Sequence, residues 1–544
     1  MSLWRRMVAP VMPRAVERAL FLGLLVVSAI PLLAFQYVPS QDGPAHVANA
    51  AVILNSGDTI FAEYYDVSFS QGTNLLGDLA LAGMLPFLTP PLAEKMMALL
   101  FLVGLPLSLR WCLHQLNADA IWLSILAIPL SSGIFIYWGF YNFLLGVVLS
   151  FLTFGFWLKR MRPAQTHLGT WALFALLVAL VYLAHPLPLL ALFLMIAAAI
   201  LDDSLEDVRR SNSGYARSTI NRLFPVVLPA VISLAFLVAF GAGQSTKIGY
   251  DAASPVTRLY HLPLDLVLSL TSLELPFAIL PSVALGLLGL LALIQARGSV
   301  WRRPGFPVAM ILLALFYFLG PNRIGDGTLI LPRVLLYLAI VTLFWLAVLW
   351  TPRWANVTAV VLVSAAIVGL TTVRIPVHAE TDAVIREYLS GLDVVKPAST
   401  ILPLWASALE RGPEDRLRGA RPLHVDGYLT ATKDVVDLGH FTAQISISPI
   451  QFKSGYGMQE LMNLPNLDTA LRFGPDLIDL DEFERKSPGR IDYVWLWGRA
   501  EADADLLEEP RSQRMLQQLE NDYELIYVSA PRGLLEVYAQ KGSR

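Results

Sequence analysis

As far as Arg374 the sequence alternates long apolar runs with short polar loops. Most runs approach the roughly 20 residues a helix needs to cross a bilayer. The pattern predicts eleven crossings, at residues 19–38, 95–114, 119–137, 139–158, 168–184, 186–201, 223–243, 276–296, 304–320, 333–350 and 355–373. Two stretches need a decision. "NLLGDLALAGMLPFLTPP", residues 74–91, is apolar, but a crossing there would carry the basic "KRMRP" outside and reverse the charge pattern of the loops that follow. It is therefore expected to lie along, or dip into, the outer surface. Residues 166–201 are interrupted by "HPLP", and because the residue before a proline avoids the helical region, two short crossings meeting at the outer face are expected.

After Arg374 the pattern changes. "DAVIREYLSGL" has helical spacing, whereas "IDYVWLWG", "YELIYVSA" and "LLEVYAQ" are apolar runs of strand length bounded by turn residues, the last two reading as a hairpin. The expected fold is a polytopic α-helical membrane protein of about eleven transmembrane helices with a C-terminal extracytoplasmic α/β domain. The membrane domain would occupy residues 1–374, with a first outer loop at about 39–94, and the outer domain residues 375–544.

Composition agrees with a membrane setting. Only 15% of the 544 residues are charged, against about 25% in soluble domains, and the mean hydropathy is +0.56. A net charge of −3, with basic residues scattered over short loops, argues against a nucleic-acid partner. The single cysteine, Cys112, excludes an internal disulfide and a thiolate metal cluster. The first apolar run lacks a small-x-small cleavage site and is expected to be a retained helix. With the N-terminus cytoplasmic, the arginine-rich "RRMVAPVMPRAVER", "KRMR" and "VRRSNSGYARSTINR" segments fall inside, while Lys95, Lys247, Arg258, Arg323, Arg333 and Arg374 fall outside. This places the C-terminal domain outside a plasma membrane, and the Ala-, Leu- and Arg-rich composition suggests a bacterial inner membrane.

The same topology gathers polar residues at the outer face: Asp42, His46, Glu63, Asp66, Tyr141, Asn142, His185, Tyr260, His261, Arg323, Asp326 and Arg333. Asp42, in "SQDGPAHVANA", reads either as the cap of an interfacial helix or as a carboxylate able to take a proton from a hydroxyl held against it. His46 follows four residues later, on the same helical face, where it could orient that carboxylate, bind phosphate or be an interfacial residue. Asn142 opens an apolar helix as a cap or a substrate hydrogen-bonder; His185, before Pro186, packs between loops or joins the site. Arg323 and Arg333 read as snorkelling residues or as phosphate ligands, since guanidinium matches phosphate oxygens with paired hydrogen bonds. The aromatics Tyr137, Trp138, Phe140 and Tyr141 read as an interface belt. Glu63 and Asp66 read as solvated loop acids or as a second carboxylate for the site; the oxygen ligands are scattered, and no metal is expected.

The layout of "SQDGPAHVANAAVI" in a first outer loop, then "GFYNFLLG", "YLAHPLPLL", an outer "NRIGDGTLILPRVL" and a C-terminal outer α/β domain resembles the GT-C superfamily of membrane glycosyltransferases. The resemblance covers the whole chain as a layout, with the first-loop Asp its most characteristic part. It implies transfer of a sugar, with inversion, from a polyprenyl-phosphate donor to an acceptor hydroxyl on a glycan, lipid or protein, with Asp42 as general base and Arg323 or Arg333 on the phosphate. His46, Asn142, His185 and His261 would complete the substrate site. Many members carry paired acidic residues here, whereas Gln41 and Gly43 flank Asp42, which leaves metal dependence open. A transporter would instead place ionisable groups at mid-membrane in broken helices and repeat internally; a non-catalytic scaffold would explain the outer domain but not the polar outer face.

Overall fold

The computed structural model describes residues 12–57, 59–70, 72–162, 167–210, 215–242, 248–250, 253–267, 271–296, 303–325, 327–349, 351–407, 424–445, 447–457, 478–502 and 504–542. Helix α1 (Arg14–Ala34) leads into the first loop, built from α2 (Gly43–Leu54), α3 (Ile60–Tyr64), strand β1 (Tyr65–Val67) and α4 (Leu76–Met84). There follow α5 (Pro90–Leu116), a 3-10 segment at Ala118–Ala127 continued by α6 (Ile128–Ser131) and α7 (Ile134–Trp138), and α8 (Tyr141–Phe156). Next come α9 (Leu168–Ala184), α10 (Pro186–Arg209), α11 (Tyr215–Ala242), β2 (Ile248–Gly249), α12 (Pro255–Asp265), α13 (Leu275–Ala296), α14 (Gly305–Leu319), β3 (Arg323–Ile324), α15 (Ile330–Ala347) and α16 (Arg353–Tyr388). The outer part adds β4 (Thr400–Trp405), α17 (Gly427–Lys433), β5 (Val436–Asp437), β6 (Ile450–Phe452), β7 (Tyr493–Trp497), β8 (Tyr523–Val528) and β9 (Leu535–Gln540).

Each of the expected crossings corresponds to an apolar helical segment. Nine helical segments among the described residues are long and apolar enough to cross a membrane, and α9 and α14 are shorter apolar helices. The crossing expected at 119–137 is not one regular α-helix. Its first half is 3-10, Pro129 sits in the first turn of α6 where a missing amide is tolerated, and the extended Gly133 separates α6 from α7, because glycine readily leaves the helical region. The "HPLP" break is present: α9 ends at Ala184, His185 is extended, and α10 starts at Pro186. Helix α4 has nine residues, roughly 14 Å of helix, less than half of a hydrocarbon core.

No break in the helix marks Arg374, since α16 runs on to Tyr388. Arg374 itself is buried against Glu274, its Nη2 2.8 Å from the carboxylate, so α16 and the turn that leads into α13 are joined by a charged pair inside an apolar bundle. Removing either partner would strand the other charge in a poorly solvating interior.

Outside the bundle a five-stranded sheet has the order β5-β4-β7-β9-β8. β5, β4 and β7 are parallel, β9 is antiparallel to β7, and β8–β9 is the expected hairpin. β4 and β7 are buried along their whole length, which is why "TILPLW" and "YVWLW" read as continuous rather than alternating apolar runs. The first loop is part of this structure. β1 pairs antiparallel with β6, and Val52, Phe61, Tyr64 and Tyr65 share a hydrophobic core with Leu402, Leu404, Ile450 and Val494. The loop is thus held between membrane helices and outer sheet, a placement that fixes the groups it carries.

Candidate functional site

Asp42 is placed by backbone. The amide of Gln41 donates to Tyr137 O at 2.7 Å and that of Asp42 to Trp138 O at 3.2 Å, pinning the "QDGP" turn to the end of α7. Gly139 permits the contact: its φ is +72°, and a Cβ there would lie 2.4 Å from Gly43 N. Asp42 occupies the N-cap position of α2, but its side chain does not take up the helix amides. Instead its Oδ1 lies 3.7 Å from Nε2 of His424, in the outer domain.

One helical turn on, His46 points at a residue the sequence reading passed over. Its Nδ1 is 2.8 Å from Oδ1 of Asp78 on α4. Asp78 is buried and also receives hydrogen bonds from Asn49 (3.2 Å) and Asn142 (3.1 Å). Burial works against a charged His46 ring, but the Asp78 carboxylate, with Asp42 and Glu94 adding to it, outweighs that and raises its pKa above the usual imidazole value. Asn142 braces α4: its Oδ1 accepts from Gly77 N at 2.6 Å, and its Nδ2 donates to Asn74 O and to Asp78.

Arg333 and His185 form the second part. Arg333, on the first turn of α15, is buried over the rings of Phe140 and Phe143, 4.3 and 5.1 Å from their centroids, and the charge of Asp42 acts on it. The Leu187 amide donates to His185 Nδ1 at 3.1 Å. Burial, with the Arg333 charge beside it, holds this ring neutral, well below the usual imidazole range. The His185 Nε2 faces Arg333 Nη1 at 3.0 Å, and the Nε of Arg333 is buried with no hydrogen-bond partner among the described residues.

Glu94, at the start of α5, joins the two halves. Fully buried, it accepts from Ser40 Oγ, from Tyr141 OH at 2.8 Å and from Tyr428 OH of α17. Beside it the backbone at Gly427 presses on α2, where a Cβ would lie 2.3 Å from Pro44 O. Thr442 donates to Asn49 Oδ1 at 2.7 Å and contacts His440 Nε2 at 2.9 Å. His424 and Phe441 stack in parallel, 4.1 Å apart. Asp437 accepts from Gly439 N at 2.8 Å, and burial, reinforced by the neighbouring Asp426, pushes its carboxyl well above the usual carboxylate range.

Of the residues singled out in the sequence, Asp42, His46, Asn142, His185 and Arg333 come together. Arg323 does not join them: it lies on β3, paired with β2, and its Nε donates to Gly325 O at 3.0 Å. His261 is exposed on α12 against Tyr260. Glu63 sits on α3, and Asp66 is an exposed residue of β1 opposite Gln451. Asp326 lies outside the described residues. Missed in the sequence were Asp78, Glu94, His424 and His440. The first two had a signal, being single acids in "LLGDLALAG" and "PPLAEKMMALL", apolar stretches where a charge is costly. Among the described residues no group of three or more His, Cys, Asp or Glu side chains is arranged to hold a metal ion.

No protein-family model matches the sequence, and no curated protein matches it. Solved structures match over nearly the whole chain. ArnT from Cupriavidus metallidurans in the apo state aligns with a TM-score of 0.52 at 12% identity, covering 96% of this chain and 98% of ArnT. The chain has the fold of ArnT. ArnT bound to undecaprenyl phosphate aligns equally, with a TM-score of 0.51 at 12% identity and coverage of 98% and 99%. At this identity the likeness is one of fold, so the expected layout of membrane helices with a C-terminal strand-containing domain holds while the residues' roles rest on their own geometry.

Proposed function

We propose that this protein is a membrane glycosyltransferase that moves a sugar from a polyprenyl-phosphate donor to an acceptor hydroxyl at the outer face, with Asp42 as general base. The observation that carries the reading is the buried Arg333 guanidinium, which leans on His185, feels the charge of Asp42 and keeps an Nε–H with no hydrogen-bond partner among the described residues. A phosphate oxygen would accept from that guanidinium in a charge-assisted contact. ArnT, which shares the fold, has been solved with undecaprenyl phosphate, and a lipid phosphate at this position would leave its tail along the membrane helices.

The reaction follows from the two parts. Asp42 accepts the proton as the acceptor O–H bond breaks, and the oxygen bonds to the anomeric carbon from the face opposite the phosphate. The bond from that carbon to the phosphate oxygen breaks, and its electron pair leaves with the polyprenyl phosphate. Arg333 meets that charge as it develops. Attack from the opposite face inverts the anomeric centre. Asp78 accepts three hydrogen bonds and holds His46 beside Asp42, and its carboxylate raises the ring's affinity for a proton. The active face is outward in a bacterial inner membrane, with the N-terminus cytoplasmic, as the loop charges suggest.

Binding of undecaprenyl phosphate to the full chain in lipid nanodiscs tests the donor half. The wild type is expected to bind, and Arg333→Ala to weaken binding about tenfold to a hundredfold, the worth of one charged hydrogen bond. Equal binding by both proteins would remove Arg333 from the donor site.

A further inference from the structure

The outer domain reaches Asp42 itself, and this contact has a chemistry of its own. His424 is 3% exposed. Its Nε2 has no hydrogen-bond partner among the described residues, although a buried polar atom left unpaired is costly. That nitrogen is 3.7 Å from Asp42 Oδ1, too far for a direct hydrogen bond and close enough for one oxygen atom to lie within reach of both.

The ring is also fixed. It stacks on Phe441, interplanar angle 4°, and the Gly427 amide donates to His424 O at 3.0 Å, closing the turn that starts α17. The same segment is tied to the first loop by Tyr428 on Glu94 and Thr442 on Asn49. Contacts on both sides of His424 thus seat it against α2.

We infer that His424 is a catalytic residue supplied by the outer domain, which together with Asp42 holds the acceptor hydroxyl. This rests on the transferase reading. In it the carboxylate takes the hydroxyl proton while the imidazole Nε2 makes the second hydrogen bond to the same oxygen, turning a lone pair toward the sugar. Burial, with His440 and His46 nearby, depresses the His424 pKa to about 3, which keeps the ring neutral and able to take this part near neutral pH. The centre is then composite: the donor phosphate is held by membrane helices, and the acceptor is held between first loop and outer domain.

The test uses the full chain in nanodiscs with undecaprenyl-phosphate hexoses as donors and water as the acceptor, so that slow donor hydrolysis reports the reaction without a known acceptor. His424→Phe keeps the stack on Phe441 and removes the nitrogen; His424→Gln restores a polar group at similar reach. The inference expects His424→Phe to lower hydrolysis at least tenfold with undecaprenyl phosphate binding and thermal stability unchanged, and His424→Gln to recover part of the loss. Unaltered hydrolysis in His424→Phe, or a loss matched by lost donor binding, overturns it. A wild type that binds no undecaprenyl phosphate strikes the transferase reading first and takes this inference with it.

Discussion

Asp78 shows how one side chain can govern another at a distance from the reaction. It is buried, holds three donors and raises the His46 pKa. Asp78→Ala leaves those donors unmatched and is expected to cost about 1–3 kcal/mol for each group that water cannot reach. Asp78→Asn keeps the shape but removes the charge, so the His46 pKa should fall, measurable by NMR titration of the labelled ring. An unmoved titration would show that Asp78 does not set the charge state. The histidines facing it in the outer domain behave oppositely. Burial pushes His424 to about 3 and His440 to about 4, from an ordinary value of 6.5. In the unfolded chain these rings take up protons below 6.5, whereas in the native state they resist, so stability falls as pH drops from 6.5 toward 4. The groups around them are Asp42, His46 and Asp78, and His46, with its raised pKa, contributes stability in the other direction, lost as pH rises. A double His424→Phe, His440→Phe variant should flatten the acid limb of the Tm–pH curve; an unchanged limb would assign it to other groups.

At the scale of elements, the turn at Gly139 and the break at His185 matter most. Gly139→Ala places a side chain against Gly43 N and asks for a left-handed backbone at an alanine. A cost of about 1–3 kcal/mol from the backbone conformation alone and displacement of Asp42 are expected, seen as a lower Tm together with lost activity. A variant of unchanged Tm and activity would mean that the "QDGP" turn is not pinned there. Much of this level was legible in the sequence, because apolar runs near 20 residues, a proline after His185 and β-branched or aromatic runs each have one physical outcome. What was not legible has equally plain causes. Arg323 and Arg333 share a sequence segment and a residue type, but one lies on a strand that pairs with the sequence-distant β2 and the other on the first turn of an apolar helix, and only packing separates them. Asp78 and Glu94 signalled their presence by being charged in apolar surroundings. Reading that stretch for topology alone hid their use.

At the scale of the whole molecule, the first loop joins the membrane helices to the C-terminal strands. β1 belongs by pairing to the outer part, α2 touches both, and Glu94 of the membrane helices accepts from Tyr428 of α17. No periodicity in the sequence could reveal that residues 424–442 return to residues 40–49, since such contacts depend on the closed fold. Tyr428→Phe is expected to loosen this seam, raising the rate of limited proteolysis in the outer domain; unchanged cleavage would show the hydroxyl contact to be dispensable. The central claim concerns Asp42, and transfer of radiolabelled sugar from a panel of polyprenyl-phosphate donors, wild type against Asp42→Asn, tests it most directly. The wild type is expected to transfer sugar from at least one donor, and Asp42→Asn to lose at least a hundredfold in rate with undecaprenyl phosphate binding retained. Equal transfer by the two proteins would contradict it.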